Sequence, residues 1–180
     1  HFLIRDVSHD GSQLILAQSV HANEHDHLLL LNRGDKNLLQ LTSTQSTHYV
    51  FGGCFAADAS SIIFASNLDY HSNEPFEGVG LWRHDFDTGG FSLLAKAAST
   101  FEAGPKPSPS RQQWLWTRHD RAPGGKQLWV LNEDGTGLRE VLSLGPTNSI
   151  RGEWLDEDRI AFVADVELAD HVGILTLSSG

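Results

Sequence analysis

The sequence predicts an all-β fold that repeats one unit of four short antiparallel strands. Three observations predict it: a segment that recurs at intervals of about fifty residues, polar turns between short apolar runs, and no long segment with the 3.6-residue period of an amphipathic helix. The 180 residues contain 17 Gly and are 39% hydrophobic, which is typical of a turn-rich globular protein.

The repeat is marked by a polar turn that is followed by a four-residue strand of apolar or small residues. This marker occurs four times, and its first strand residues are Leu14, Ile62, Trp114 and Ile160, at intervals of 48, 52 and 46 residues. A β-sandwich also uses many short strands, but it has no need to recur at such an interval. The sequence therefore predicts a β-propeller of about four blades.

Three further strands are predicted around each marker. One further strand precedes each marker, at residues 2–7, 48–55, 102–106 and 149–155. Third strands follow at 27–31, 79–84, 127–132 and 172–177, and final strands, after turns rich in Asn, Asp and Gly, at 38–42, 91–94 and 138–142. The blades then span approximately 1–44, 45–98, 99–146 and 147–180.

The last predicted blade lacks its fourth strand. A closed propeller leaves no long unprotected strand edge, whereas this arrangement would leave open blades at both ends. We therefore expect residues 1–180 to be a single segment of a larger propeller. A complete four-bladed propeller is the alternative.

Two stretches resemble propellers of known families. Residues 127–135, QLWVLNEDG, resemble the blade repeat of TolB-like propellers, and residues 48–67, HYVFGGCFAADASSIIFASN, resemble a run in the N-terminal propellers of the prolyl oligopeptidase family of serine peptidases. The Ser-Pro-Asp-Gly turn of that family corresponds here to Ala57-Asp58-Ala59 and, in the first blade, to Ser8-His9-Asp10-Gly11. The resemblance implies a propeller that gates substrate access to a separate α/β-hydrolase domain.

No catalytic residue is assigned to this chain. The Ser, Asp and His that the resemblance implies belong to the hydrolase domain, and the sequence contains no G-x-S-x-G nucleophile elbow. The nearest run, Gly90-Phe91-Ser92, lacks the second glycine and lies in a predicted strand. A TolB-like scaffold for protein–protein contacts, without enzyme activity, remains the alternative function.

Charge and hydropathy narrow the expected partners. A net charge of −10 disfavours nucleic acid and anionic membranes, and no apolar run approaches the ~20 residues of a membrane span. We expect a soluble, cytoplasmic or periplasmic protein without a cofactor. Its expected partner is an α/β-hydrolase domain of the same protein or another protein, together with a peptide substrate.

The run His21-Ala22-Asn23-Glu24-His25 matches the H-x-x-E-H pattern of some zinc peptidases. That chemistry needs a helix to bring both imidazoles to one metal, and a further ligand such as Glu102. The run instead lies between two predicted strands. Two interpretations stay open: a solvated loop, or an adventitious metal site formed by His21, His25 and His27.

Two other groups of residues have predicted roles. Polar loops, including 69–78, 118–125 and 165–171, should emerge on one propeller face and form a rim that contacts a substrate or a neighbouring domain. Cys54 is predicted to be a small core residue rather than a nucleophile. The five tryptophans are predicted to pack between blades: Trp82, Trp114, Trp116, Trp129 and Trp154.

Overall fold

The computed structural model describes residues 2–19, 26–42, 48–97, 104–119, 125–145, 149–166 and 169–179. Within these residues the chain forms fifteen β-strands and one short 3-10 helix, Leu177–Ser179. No helix in the described part of the chain has the length and apolar character that crossing a membrane requires. The predicted all-β class is confirmed.

The strands form four antiparallel sheets, which we call blades 1 to 4 in chain order, and neighbours in each sheet are consecutive in the chain. Blade 1 contains β1 (Phe2–Val7), β2 (Gln13–Ser19), β3 (Asp26–Asn32) and β4 (Leu38–Gln40). Blade 2 contains β5 (Val50–Phe55), β6 (Ser61–Asp69), β7 (Glu74–Asp85) and β8 (Phe91–Ala97). Blade 3 contains β9 (Lys106–Pro107), β10 (Gln113–His119), β11 (Lys126–Asn132) and β12 (Arg139–Ser143), and blade 4 contains β13 (Ser149–Trp154), β14 (Arg159–Val166) and β15 (Ala169–Thr176).

The order of the strands is the predicted one, but some bounds differ. The polar stretch 69–78, predicted as a loop, is mostly a β-hairpin, in which Asp69 pairs with Glu74. The intervening turn closes because Asn73 adopts a left-handed conformation (φ 61°) and the Asp69 carboxylate accepts the amide of His71. The strand predicted at 102–106 is only Lys106–Pro107 within the described residues.

Apolar sheet faces pack the blades in chain order. We call the side of a blade that is turned toward the next blade its leading face, and the opposite side its trailing face. The leading face of blade 1 and the trailing face of blade 2 form one buried cluster: Ile15, Ala17, Leu28, Leu30, Leu41, Val50, Phe55, Ile62, Phe64 and Trp82. Burial of each large side chain contributes about 1.5–3 kcal/mol.

Two further clusters repeat this arrangement. Between blades 2 and 3, Trp114 and Trp116 are fully buried against small and aliphatic residues of blade 2, among them Ala65 and Leu81. Between blades 3 and 4, Trp154 lies half-buried beside the third cluster. The prediction that tryptophans pack between blades is therefore confirmed for these three and for Trp82.

Trp129 is half-buried and contacts a cation. The guanidinium of Arg118 lies 4.2 Å from the ring centroid of Trp129, and 5.8 Å from that of Trp116. Such contacts are favourable because the negative face of the ring attracts the cation.

The first strand of each sheet is the innermost, because β1, β5, β9 and β13 contact one another in succession. At this inner edge the backbones of blades 2 and 3 meet at two glycines. A Cβ on Gly104 would lie 2.3 Å from the Cα of Gly52, and Gly52 itself has φ +74°. Neither position accommodates a side chain without moving a strand.

We predict that Gly104→Ala lowers the free energy of unfolding by about 1–3 kcal/mol, because the added methyl group would force the two inner strands apart. Urea unfolding measures the change. Gly34→Ala is the control, since a Cβ there would meet only the Asn32 side-chain oxygen at 3.4 Å. Equal unfolding midpoints for Gly104→Ala and the wild type would contradict the close approach.

Candidate functional site

The histidine-rich run falls largely outside the described residues. This applies to His21 and His25, and also to Glu102, so the metal site remains a prediction for them. His27 lies in β3, where its Nδ1 is 3.3 Å from the Thr42 carbonyl oxygen. No group of three His, Cys, Asp or Glu within the described residues is arranged to hold a metal.

Of the predicted rim loops, only the hairpin turn of blade 2 is described in full. Its Tyr70 does not point into solvent but lies over the trailing face of blade 2, stacked on Phe91 at 4.2 Å and edge-on to Trp82 at 5.2 Å. Burial raises the pKa of Tyr70 to about 12. Tyr70 therefore packs on the core, whereas residues 71–75 of the same turn are exposed.

Tyr70 also forms part of a cleft of about 460 Å3 between blades 1 and 2. The cleft is lined by uncharged residues: Gln40, Leu41, Thr42, Leu68, Tyr70, Asn73 and Phe91. The side-chain amide of Gln40 donates to the Thr42 carbonyl at 2.9 Å, so some polar groups of this cleft already have hydrogen-bond partners within the protein.

Cys54 has the properties of a structural cysteine. Burial raises the pKa of its thiol to about 12, and the thiol donates to the carbonyl oxygen of Pro105 at 3.4 Å. A nucleophilic cysteine needs a low thiol pKa and access to solvent. The prediction that Cys54 is not a nucleophile is consistent with this environment.

The most highly connected polar group in the described residues joins three blades, and the sequence did not reveal it. We call it the polar clamp: the side chains of Asp6 in blade 1 and Arg111 in blade 3, with the backbone of Phe55 in blade 2. Arg111 donates to both carboxylate oxygens of Asp6, at 2.5 and 3.0 Å, and to the Phe55 carbonyl at 2.8 Å. The Phe55 amide in turn donates to Asp6 at 2.8 Å.

The polar clamp is well shielded from water. The side chains of Arg111 and Asp6 are only 22% and 16% exposed. The hydrogen bonds that Arg111 donates to Asp6 raise the pKa of Arg111, so the guanidinium stays charged at any physiological pH. Bidentate, charge-assisted pairs of this kind are both stronger and more directional than neutral hydrogen bonds.

Arg111 occupies a backbone position that favours glycine. Its φ is 60°, and the corresponding residues of the first two marker turns, Gly11 and Ala59, have φ values of 70° and 56°. A non-glycine residue in this conformation costs about 1–2 kcal/mol. The one sequence signal of the polar clamp is therefore an arginine at the position that holds glycine in blade 1.

Blade 4 is tied to the same turn of blade 3. Glu157 accepts the amide of Ser110 at 2.5 Å and its hydroxyl at 2.8 Å. Burial alone would raise the pKa of Glu157, but these hydrogen bonds lower it below its ordinary value. Further along the inner edge, Lys106 pairs with Glu153 and the indole of Trp154 donates to the Lys106 carbonyl at 3.0 Å.

The marker turns and the outer turns share one propeller face, and this turn face is acidic. Hydrogen bonds from the amide of Ser12 and the hydroxyls of Ser8 and Ser12 lower the pKa of Asp10 to about 2. The pKa values of four other aspartates are lowered in the same way by hydrogen bonds within their turns: Asp58, Asp85, Asp134 and Asp156. The turn face therefore carries fixed negative charge at neutral pH.

We predict that the free energy of unfolding of Asp10→Asn falls less than that of the wild type when the pH is lowered. Because the folded pKa of Asp10 lies below its ordinary 3.8, its contribution is complete above that pH and is lost as pH falls through about 2. When thermal unfolding is measured between about pH 5 and pH 2, the midpoint should fall less steeply with pH for Asp10→Asn than for the wild type. Asp87→Asn, an exposed residue of the β7–β8 turn, is the control, and equal slopes for Asp10→Asn and the wild type would contradict the prediction.

Comparison with known proteins identifies the fold. No protein-family model matches the sequence, and no curated protein matches it. Solved structures do. The oligopeptidase B from Trypanosoma brucei superposes with a TM-score of 0.72 at 10% identity, over 100% of this chain and 26% of that one.

Two other structures are similar. A puromycin-hydrolyzing peptidase from Mycobacterium tuberculosis has a TM-score of 0.68 at 17% identity, over 98% of this chain and 29% of the peptidase. A putative TolB from Agrobacterium tumefaciens has a TM-score of 0.64 at 19% identity, over 97% of this chain and 61% of TolB. The chain thus spans less than two thirds of each matched structure.

At these identities the likeness shows the fold and no more. It confirms, at that level, the resemblance to TolB-like and peptidase propellers that the motifs of blades 2 and 3 predicted. The chain is a β-propeller segment of consecutive four-stranded blades, the fourth of which shows three strands within the described residues.

Proposed function

We propose that the chain is a non-catalytic segment of a larger propeller in a prolyl-oligopeptidase-like serine peptidase, where it gates peptide access to an α/β-hydrolase domain outside these residues. The observation that carries the proposal is an apolar, solvent-exposed sheet face at each end of the stack. The motifs of blades 2 and 3, and the likeness to two peptidases, support the enzyme class.

The leading face of blade 4 is the first of these exposed apolar faces. In each blade, the residue three positions after the first strand residue of the marker pairs with a residue of the third strand. This pair is Ala17–Leu28 in blade 1 and Ala65–Leu81 in blade 2, where every side chain is at most 1% exposed. In blade 4 the same pair is Val163–Val172, and it is 45% and 79% exposed.

The trailing face of blade 1 is the second exposed apolar face. Its exposed apolar residues include Phe2 at 55%, Ile4 at 65% and Leu38 at 47%. In blade 2 the trailing face carries Phe64 and Trp82, which are completely buried against blade 1. Soluble proteins rarely leave such continuous apolar patches uncovered, so further blades of the same protein are the fitting occupants.

Gating follows from this arrangement without any catalytic group in the blades. A ring of tightly packed blades restricts by size what reaches an enclosed site, and the opening of a domain or blade admits the substrate. Catalysis itself belongs to the Ser, Asp and His of the hydrolase domain. The acidic turn face disfavours nucleic acid and membrane as partners and fits a soluble, cytoplasmic or periplasmic protein.

A TolB-like scaffold for protein–protein contacts is the second candidate. The observation that favours it is the likeness of the fold to a putative TolB over 97% of this chain. In that case the turn face or the rim would contact a protein partner, and no hydrolase domain would be needed.

The whole natural protein distinguishes these functions. We expect it to react with a fluorophosphonate, which labels serine hydrolases, and to cleave short fluorogenic peptides while sparing folded proteins, because the blades exclude large substrates. A variant in which the propeller no longer restricts access by size should also cleave larger substrates. A folded whole protein without labelling or peptidase activity would contradict the gating function and favour the scaffold.

A separate prediction tests the covering of the end faces. In the whole protein, Val172→Asp should lower the free energy of unfolding by about 1–3 kcal/mol, because a charge would be buried under the next blade. Leu93→Asp is the control, since Leu93 is 43% exposed on the outermost strand of blade 2, and a surface change costs less than about 0.5 kcal/mol. Equal, small effects of both substitutions would show that blade 4 is not covered.

A further inference from the structure

We infer that the polar clamp is a latch: it holds β1, the innermost strand of blade 1, against blades 2 and 3, and its release frees that strand at the propeller axis. This goes beyond the proposed function, because it concerns a conformational step within the blades and holds whether or not a hydrolase domain accompanies them.

Much of β1 is open to solvent. It is the edge strand of its sheet and takes its strand hydrogen bonds from β2 alone. Residues 2–5 and Val7 are exposed, and the pairing with β2 is interrupted by a register shift between Ile4 and Asp6. Asp6, in contrast, is half-buried, and its side chain hydrogen-bonds to blades 2 and 3.

The contacts of Asp6 are what a latch requires. They join blade 1 to blade 3 across the end of blade 2, through the Arg111 guanidinium and the Phe55 amide and carbonyl. Hydrogen bonds weaken steeply with misalignment, so a small shift of β1 would release the polar clamp. The apolar clusters between the blades contain neither Asp6 nor Arg111.

Cys54 provides a built-in reporter of the latch. It precedes Phe55, is the only cysteine of the chain, and its thiol contacts the Pro105 carbonyl of blade 3. After burial, the charge of Asp6 is the next largest cause of its raised pKa, and Arg111 opposes that effect. Loss of Arg111 alone would therefore leave less thiolate and slow alkylation, whereas exposure of Cys54 would accelerate it.

The test is hydrogen exchange and iodoacetamide alkylation of the whole protein with Arg111→Gly, a residue that the turn backbone accepts at φ 60°. We expect amide exchange in β1 to rise by about tenfold or more, since charge-assisted hydrogen bonds are lost, while β2, β3 and β10 keep their protection. Alkylation of Cys54 should become faster despite the electrostatic effect.

Two further variants complete the design. Asp6→Asn keeps the shape of the side chain but removes its charge, and should increase exchange in β1 in the same way, by a smaller factor. Arg159→Gly is the control, because Arg159 pairs only locally with Asp156 on the same turn face. Unchanged exchange in β1 for Arg111→Gly and Asp6→Asn, or an equal rise in all four blades, would overturn the latch.

Discussion

The structure depends on the burial of each apolar sheet face against the next. A sheet with apolar residues on both faces must bury each face against another element, and here the leading face of one blade supplies small and aliphatic residues to the trailing face of the following one. Ala65 and Leu81 against Trp114 and Trp116 are the clearest case, because all four side chains are completely buried. The inner glycines and the polar clamp act within this frame, where they set how closely the innermost strands approach.

Face packing also explains why the fold was readable from the sequence. The marker requires an apolar residue on both faces of its strand, so it appears as a short apolar run after a polar turn in every blade. Leu14 and Ile160 begin such runs, and the structure places both in the second strand of a blade. The spacing of about fifty residues then follows from the length of four strands and their turns.

What the sequence did not reveal depends on contacts between distant residues. The hairpin beyond Asp69 is polar, so no alternation marked it, and the Tyr70 of its turn packs on the distant Phe91. The polar clamp joins Asp6 to Arg111, and no local pattern connects two residues in different blades. Its only trace, an arginine where blade 1 has Gly11, becomes meaningful once the turn conformation is known.

The proposed function separates into a part carried by the fold and a part carried by chemistry. The blades supply packed sheets, a turn face of fixed negative charge and two exposed apolar end faces. Cys54 is poorly suited to act as a nucleophile, because it is half-buried and the pKa of its thiol is raised. A fold of this kind hosts many activities, so the hydrolase assignment depends on a domain beyond these residues.

A double-mutant cycle between Asp6 and Arg111 tests the central claim, the stacking of blades 1 to 3 around a common inner edge, most directly. The two residues can interact only if blade 3 returns to blade 1 across the inner end of blade 2. With alanine at each position and at both, urea unfolding should give a coupling free energy of about 1.5–3 kcal/mol. Additive effects of the two substitutions would contradict the arrangement.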